Sequence, residues 1–288
     1  MIKFNKEQLV MQSVQGKVHP PVMKRQYRVG SDGRPWILPA TGGITYNFQI
    51  GDGCMGLAGD HVEPGVSTKN PDPAMDMAYN TLTCVGNQAK VITGEAKGAV
   101  GYVTGKHGGI DHVMIAFEQE VLEKLTIDDQ FLVKACGQGM TLTDYPEITV
   151  MNLDPELINK MGIEEQDGCL VVPVTKVIPA ALMGSGLGSD TMLSGDYDIM
   201  TADREEIRRL HLDRLRYGDI VLLENCDNTY GRGYLKGAVS IGVVIHGDCI
   251  LMGHGPGVST MFSAKTPVIE GRLDCHANLA DLMGVSHK

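Results

Sequence analysis

The chain has 288 residues, of which 43% are hydrophobic and 21% are charged, and its formal net charge is −10 at pH 7. This length predicts two domains, or one large domain, with ample core. Nucleic acids and anionic membranes are bound through cationic surface, so an acidic chain without a stripe of Lys and Arg argues against both partners. The expected partner is a small-molecule ligand or a metal cation.

The cysteine pattern and the N-terminal sequence bear on the compartment. The seven cysteines are widely spaced and form no Cys-x-x-Cys pair, which argues against a disulfide framework and a thiolate zinc site. Buried, reduced thiols are typical of cytoplasmic proteins. The N-terminal segment lacks the apolar core of a signal peptide, and no apolar run approaches membrane-spanning length. We therefore expect a cytoplasmic protein.

Short apolar runs bounded by glycine recur along the chain and predict strands. They cover residues 44–50, 99–104, 112–117, 130–135, 169–174, 219–223, 238–245 and 249–252. Fewer segments carry helix signals, and these predict short helices over 118–125, 154–161, 201–210 and 274–283. Strands outnumber helices, so we predict a β-rich α+β fold with mixed and antiparallel sheets.

Parts of the sequence are repeated. KGAV occurs at 97–100 and 236–239, and each copy is followed at the same distance by His-Gly, at His107 and His246. PGVST occurs at 64–68 and again at 256–260. We infer two related halves that each contain a hairpin: a β-rich half over 1–150 and an α+β half over 151–288. Chance similarity among glycine-rich hairpins is the alternative.

The segment 238–252 predicts a hairpin with a two-residue turn at Gly247-Asp248. An extended chain rises about 3.3 Å per residue, so this hairpin would place His246 and His254 at opposite ends of the ribbon. His107 occupies the matching turn of the first half. We therefore expect His107 and His246 to be surface turn residues that do not share a ligand with His254.

The stretch GHGPGVST, residues 253–260, surrounds His254 with glycines and Pro256. Glycine permits positive φ and close approach of the backbone, and proline stiffens the loop. The predicted return strand would bring this loop beside the polar segment 225–233. The loop either offers an imidazole and bare amides to a ligand or serves only as a turn. The predicted ligand-binding residues are Asn228, Tyr230, Arg232, Gly255, Gly257 and Ser259.

The first PGVST copy follows GDGCMGLAGDHVE, residues 51–63. Asp60 and His61 together suit a hard or borderline divalent cation, whose bound water would serve as a nucleophile. Short acidic loops are more often solvated turns, but this one precedes a repeated motif. If the halves are related, the two PGVST loops face each other across one cleft.

A third stretch, residues 183–198, contains GSGLG at 184–188 and the pair Asp196 and Asp198. GSGLG lacks the strand–helix context of a dinucleotide fingerprint, so no nucleotide cofactor is expected, although its amides could hold an anion. The two aspartates alternate and point to one face if the chain is extended, as a ligating pair would. A mobile loop is the alternative. Serine catalysis ranks below metal chemistry, because no G-x-S-x-G elbow exists.

Long motifs across nearly the whole chain resemble one bacterial and archaeal family of the "domain of unknown function" kind, which brings no reaction with it. These motifs are PATGGITYNFQIGDG, GDHVEPGVS, VPVTKVIPAALMGSGLG, GDYDIM and GAVSIGVVIHGDCILMGHGPGVST.

A fainter resemblance is to the acetamidase/formamidase family of metal-dependent amide hydrolases. Its GDxHxxxGDGE signature is echoed at Gly51-Asp52, Gly59-Asp60 and Glu63, with one additional residue between the two Gly-Asp pairs. The signature histidine falls near Cys54. This resemblance implies a role for Asp52, Asp60 and Glu63.

Together these patterns predict a metal-assisted hydrolase of a small substrate with a C–N bond. Glu63 or Asp227 would act as general base, and Arg232 with the amides of the GHGPG loop would hold the substrate. The alternatives are a non-catalytic, homo-oligomeric protein that binds a metabolite or an ion, and glycine loops that only build a subunit interface. The predicted catalytic residues are Glu63, Asp227 and His254, and the predicted metal ligands are Asp60, His61, Asp196 and Asp198.

Overall fold

The computed structural model describes residues 2–23, 26–184 and 188–285. Over these ranges the fold is β-rich with a few short helices, as predicted. No helix in the described ranges is long and apolar enough to cross a membrane. The helices are α1 (Pro73–Leu82), α2 (Gln119–Leu122), α3 (Leu157–Lys160), α4 (Arg204–Arg209) and α5 (Leu279–Met283).

The strands form two large sheets, one smaller sheet and a short ribbon. In the N-terminal half they are β1 (Gln12–Val18), β2 (Arg28–Val29), β3 (Pro35–Trp36), β4 (Ile44–Thr45), β5 (Gly65–Lys69), β6 (Gln88–Val91), β7 (Val100–His107), β8 (His112–Ala116) and β9 (Gln130–Ala135). They continue as β10 (Thr149–Val150), β11 (Glu164–Gln166), β12 (Cys169–Val174), β13 (Lys176–Ile178), β14 (Tyr197–Met200), β15 (Ile220–Asp227), β16 (Gly233–Val244), β17 (His254–Ala264) and β18 (Ile269–Leu273).

The first large sheet closes into an antiparallel barrel. Its order is β1-β9-β6-β7-β8-β5, and β5 pairs back onto β1 at Lys17–Lys69 and Val18–Thr68. The short strand β4 extends the sheet beside β5. Closure leaves few free strand edges. Apolar side chains, among them Val66, Val103 and Phe131, fill the interior.

The second large sheet has the order β10-β17-β16-β15-β13, and β14 also pairs with β17. Its pairs are antiparallel except for β13 with β15, which are parallel. The smaller sheet, β11-β12-β18, contains a second parallel pair, β12 with β18. The architecture therefore combines antiparallel and mixed sheets, as predicted.

Strand β8 packs between the barrel interior and the second sheet. Val113 and Ile115 belong to the barrel core, whereas Met114 and Ala116 belong to the core that contains Phe262 of β17. All of β8 is buried. A strand covered on both faces reads as a continuous apolar run, which is why residues 112–117 were recognisable.

The connection between β16 and β17 differs from the predicted hairpin. β16 ends at Val244 and β17 begins at His254, so residues 245–253 form a loop and 249–252 are not a strand. Gly247 and Asp248 do not form a two-residue turn, because their N–H groups donate to the carbonyls of Val62 and Cys54. The loop between the strands is therefore bound to the segment that precedes β5.

The barrel core provides a test of the fold. Phe131 is fully buried among the apolar side chains of the barrel. We expect Phe131→Ala to lower the free energy of unfolding by about 3–5 kcal/mol, because an aromatic side chain leaves a cavity when removed. Urea denaturation would measure this. Ile127→Ala, at a side chain that is 56% exposed, is the matched control and should change stability by less than about 0.5 kcal/mol.

Candidate metal centre

The barrel and the second sheet meet where β7 ends beside β17. The Lys106 N–H donates to Ser259 Oγ at 3.0 Å, and the Ser259 hydroxyl donates to the Lys106 carbonyl at 3.1 Å. Ser259, predicted to bind a ligand, thus joins two strands. Six candidate metal ligands converge beside this junction: His61, His107, Asp196, Asp198, His246 and His254.

These side chains arrive from separate elements. His107 is the last residue of β7, and His254 is the first residue of β17. Asp198 lies in β14, His61 in the loop before β5, and His246 in the loop after β16. The centre therefore depends on how the barrel and the second sheet are packed.

Asp196, just before strand β14, and Asp198 within it are placed by simple alternation. Tyr197 and Ile199 are buried in a hydrophobic core, so Asp196 and Asp198 project from the opposite face. The Gly108 N–H donates to Asp196 Oδ1 at 2.7 Å and holds that carboxylate against the end of β7. This is the arrangement that the spacing of the two aspartates predicts.

We call His61, Asp198 and His254 the outer group. Their ligating atoms all lie within 4.8 Å of one another. His61 Nε2 is 3.0 Å from His254 Nδ1, and Asp198 Oδ2 is 3.8 Å from that same nitrogen. The side chains of Asp198 and His254 are 23% and 34% exposed. The outer group is therefore accessible from solvent.

We call His107, Asp196 and His246 the inner group, whose ligating atoms also lie within 4.8 Å of one another. His246 Nε2 is 3.1 Å from Asp196 Oδ2, and the rings of His107 and His246 are 4.1 Å apart between centroids. The side chains of Asp196 and His246 are only 5% and 0% exposed. The inner group is therefore shielded from water.

Asp198 lies between the two groups. Its Oδ1 atom is 3.4 Å from His246 Nε2 of the inner group, and its Oδ2 faces His254 of the outer group. Among the described residues, Oδ1 is buried and accepts no hydrogen bond. A buried carboxylate oxygen that accepts no hydrogen bond is unfavourable, and a cation bound between the two groups would satisfy it.

Three of the four histidines have one ring nitrogen engaged on the side away from the centre. Donation from Nδ1–H, an assignment that follows from the hydrogen-bond partners, turns Nε2 toward the centre, where an ion would replace the present partner of that nitrogen. Metal-ligating histidines usually donate to a carboxylate or backbone carbonyl in this way. The pairs are His61 with Asp60 (2.7 Å), His107 with Glu63 (2.6 Å) and His246 with the Gly247 carbonyl (2.8 Å).

Glu63, predicted as a catalytic base, lies behind His107 and is only 1% exposed. It accepts hydrogen bonds from His107, from His112 Nδ1 at 2.8 Å, from the Gly42 N–H at 3.1 Å and from the Ser67 hydroxyl. Burial raises the pKa of Glu63, but these histidines outweigh it and hold the pKa well below its usual value. With both oxygens occupied, Glu63 can orient His107 but does not face a substrate.

Asp60, predicted as a metal ligand, lies behind His61. Its Oδ1 accepts from His61, and its Oδ2 accepts from Arg28 Nη1 at 2.5 Å. Burial raises the pKa of Asp60, but His61 and Arg28 lower it overall. Because both oxygens are engaged, Asp60 supports a ligand and is not one of the converging atoms.

The surroundings of His246 favour its protonated form when no ion is bound. Burial lowers the pKa of His246, but the hydrogen bond to Asp196 and the charges of Asp196 and Asp198 raise it to about 9. For Asp196, burial raises the pKa, and the interactions with His246 and His107 lower it overall. A ligating imidazole must be neutral, so a cation bound here displaces that proton.

The glycines around His254 allow the close approach that the sequence suggests. A Cβ added at Gly257 would lie 2.2 Å from both Asp196 Oδ2 and His246 Nε2. Gly255 has φ +77°, and a Cβ there would lie 2.9 Å from the Gly247 carbonyl oxygen. The backbone of this strand therefore forms one wall of the inner group.

Other predicted residues lie at the opposite end of β17. Ser263 Oγ donates to Asp227 at 3.3 Å and accepts from the Asn228 N–H at 2.9 Å. At about 3.3 Å per residue, Ser263 is about 30 Å along the strand from His254. His254 is at the start of β17, and the segment before β16 meets the other end of that strand. The predicted neighbourhood of segment 225–233 and His254 is therefore wrong.

The remaining residues of that segment also lie away from the centre. Tyr230 is 86% exposed, and Lys265 Nζ lies 5.4 Å from its ring centroid. Arg232 belongs to the same loop, and among the described residues its buried Nη1 atom makes no hydrogen bond. The structure thus separates Asp227, Asn228, Tyr230 and Arg232 from the converging ligands.

The prediction that His107 and His246 are surface turn residues is wrong. Both are buried, and the rings of His246 and His254 lie 4.9 and 4.6 Å from the ring of His61. Loop 245–253 folds back, and this brings His246 and His254 together beside His61. The repeated KGAV followed by His-Gly is the signal that could have paired His107 with His246.

The segments that precede the two PGVST copies do meet, through His61 and His254.

Of the other motifs, Asp52 Oδ2 accepts from the Gln49 N–H at 2.9 Å within its own loop. Residues 185–187 of GSGLG lie outside the described residues. His112 shares a 2.7 Å hydrogen bond with His19 and extends the buried network beyond Glu63.

Comparisons with known proteins agree with this architecture. The crystal structure of TM1086 superposes with a TM-score of 0.92 at 46% identity, covering 97% of this chain and 98% of that one. No curated protein matches. Family models for the N-terminal and C-terminal parts of a domain of unknown function, DUF4438, match residues 27–159 and 160–283. The chain therefore belongs to the DUF4438 family.

Proposed function

We propose that this protein is a metal-assisted hydrolase of a small substrate. The observation that carries the proposal is the Asp198 carboxylate, whose buried Oδ1 atom accepts no hydrogen bond among the described residues and faces converging histidines. Two histidines and one carboxylate per group resemble the ligand sets of catalytic zinc sites, which leave a position open for water. Zn²⁺ or a similar borderline cation suits these donors.

The outer group is where we place the reaction. Its ligands Asp198 and His254 are partly exposed, so an ion held there can meet a substrate. A bound dication lowers the pKa of its water to about 7 and polarises a substrate carbonyl. A metal ion held by these residues would supply a nucleophilic water, with Asp60 holding His61 in position and Glu63 holding His107.

An amide-like C–N bond is the substrate class we propose to test first. The support is the resemblance of residues 51–63 to the acetamidase/formamidase signature, in which Asp60 matches the second Gly-Asp pair and Glu63 lies one residue beyond the position of the signature glutamate. Both residues support candidate ligands here. We also propose that the protein works in the cytoplasm, because its seven cysteines are all free and suit a reducing compartment. Homo-oligomerisation stays a prediction from the sequence.

Elemental analysis of the purified, untagged protein tests this proposal. We expect bound divalent metal, a clear loss of it in His61→Ala, and no change in His276→Ala, a histidine whose side chain is 79% exposed. The loaded protein would then be screened against amides, esters and phosphoesters. We expect turnover of an amide that is lost in His61→Ala.

Three results would contradict the proposal. Absence of bound metal after incubation with Zn²⁺ or Mn²⁺ would exclude a metal-assisted reaction. Bound metal with no turnover of any compound would favour the non-catalytic binding protein. Bound iron with oxygen consumption would instead favour the oxygenase chemistry that a set of two histidines and one carboxylate also supports.

A further inference from the structure

We infer that the centre holds two cations at once, one in each group, with Asp198 as the bridging ligand. The inference rests on the proposed metal function and deepens it. It assigns the inner group, His107, Asp196 and His246, as a second and more tightly held metal site.

The carboxylate of Asp198 has the geometry of a bridge. One oxygen faces His246 at 3.4 Å and the other faces His254 at 3.8 Å, so each oxygen is directed to a different group. In two-metal hydrolytic sites the ions lie about 3.5–4 Å apart. A single ion in the outer group would leave the buried Oδ1 without a hydrogen bond or a metal ion.

The balance of formal charge around the centre also favours two dications. Four carboxylates surround the histidines, those of Asp60, Glu63, Asp196 and Asp198, and the only ion pair from a Lys or Arg to any of them in the described residues is Arg28 with Asp60. With neutral histidines the sum is minus four plus one, or minus three. Two dications with one hydroxide contribute plus three and neutralise the centre. One dication with one hydroxide leaves a net charge of minus two, and burying that uncompensated charge is costly.

The two sites differ in rigidity and exposure, so the ions should differ in exchange rate. All three inner ligands are held by a fixed partner: Glu63 for His107, Gly108 for Asp196, and Gly247 for His246. In the outer group, only His61 is held by a carboxylate, Asp60. Ligands oriented in this way bind metal more tightly. The inner ion therefore stays when the outer ion is removed.

Stoichiometry tests the inference directly. Metal-free protein would be titrated with Zn²⁺, and bound metal would be measured by elemental analysis after gel filtration. We expect two ions per chain, and timed exposure to a chelator should leave one before both are lost. His107→Ala should retain one ion and His254→Ala should retain one, with His276→Ala at two. Circular dichroism would verify that each variant is folded.

A second measurement needs no variant. Two Mn²⁺ ions bridged by one carboxylate are magnetically coupled, so electron paramagnetic resonance of the Mn²⁺-loaded wild type should show a coupled pair. One ion per chain at saturation, with the spectrum of an isolated Mn²⁺, would overturn the binuclear centre and leave the proposed hydrolase standing. No bound metal under any condition would overturn both.

Discussion

Asp198→Asn is expected to abolish hydrolysis while leaving the chain folded. An amide oxygen carries no charge, so the variant cannot bridge two dications, and bound metal should fall from two ions per chain to one or none. Activity should drop by more than about 100-fold, since changes to residues that merely support a ligand already cost 10–100-fold. The fold should persist because Asp198 Oδ1 makes no hydrogen bond with any described residue.

Elemental analysis and turnover measurements would follow both quantities in parallel. Asp213→Asn is the matched control, because Asp213 is an exposed aspartate outside both groups. It should keep full metal content and activity. An Asp198→Asn protein with two ions and unchanged turnover would show that this carboxylate is not a ligand.

Gly257→Ala is expected to empty the inner site. The new Cβ would lie 2.2 Å from Asp196 Oδ2 and from His246 Nε2, which is closer than any real contact. Neither neighbour has room to withdraw, because both are buried. We expect loss of the inner ion and a decrease of about 1–3 kcal/mol in the free energy of unfolding from overpacking.

Urea denaturation of the metal-free proteins would measure the overpacking, and elemental analysis would measure the lost ion. Gly53→Ala is the control, since a Cβ at that position meets no atom within 4 Å. If Gly257→Ala bound two ions with wild-type stability, the strand backbone would not form the wall of the inner site.

The degree of burial determines which strands can be predicted from local sequence. The runs at 112–117, 130–135 and 169–174 correspond closely to β8, β9 and β12, because mostly buried strands must be apolar throughout or at alternate positions. The run at 44–50 is a strand only over Ile44–Thr45. A run of apolar residues forms a strand only where a neighbouring strand pairs with it.

Helix α1 shows the opposite case. Asp72 caps it by accepting from the N–H groups of Ala74 and Met75, and Pro73 is its first residue, both typical start signals. The sequence reading nevertheless missed it. The side chains it buries include Asp76 and Asn80, so the apolar spacing that marks most helices is weak.

The candidate metal centre, like the fold, depends partly on local sequence and partly on contacts between distant residues. Local rules alone place Asp196 and Asp198 on one face and assign the glycines beside His254 to close backbone contact. Which strand ends meet is set by the register of β16 with β17 and by the packing of the barrel against that sheet. Those long-range contacts bring His107 and His246 into the centre and leave Asp227 at the far end of β17. Residue types and alternation are encoded over a few positions, whereas convergence of a site depends on contacts between residues far apart in the chain.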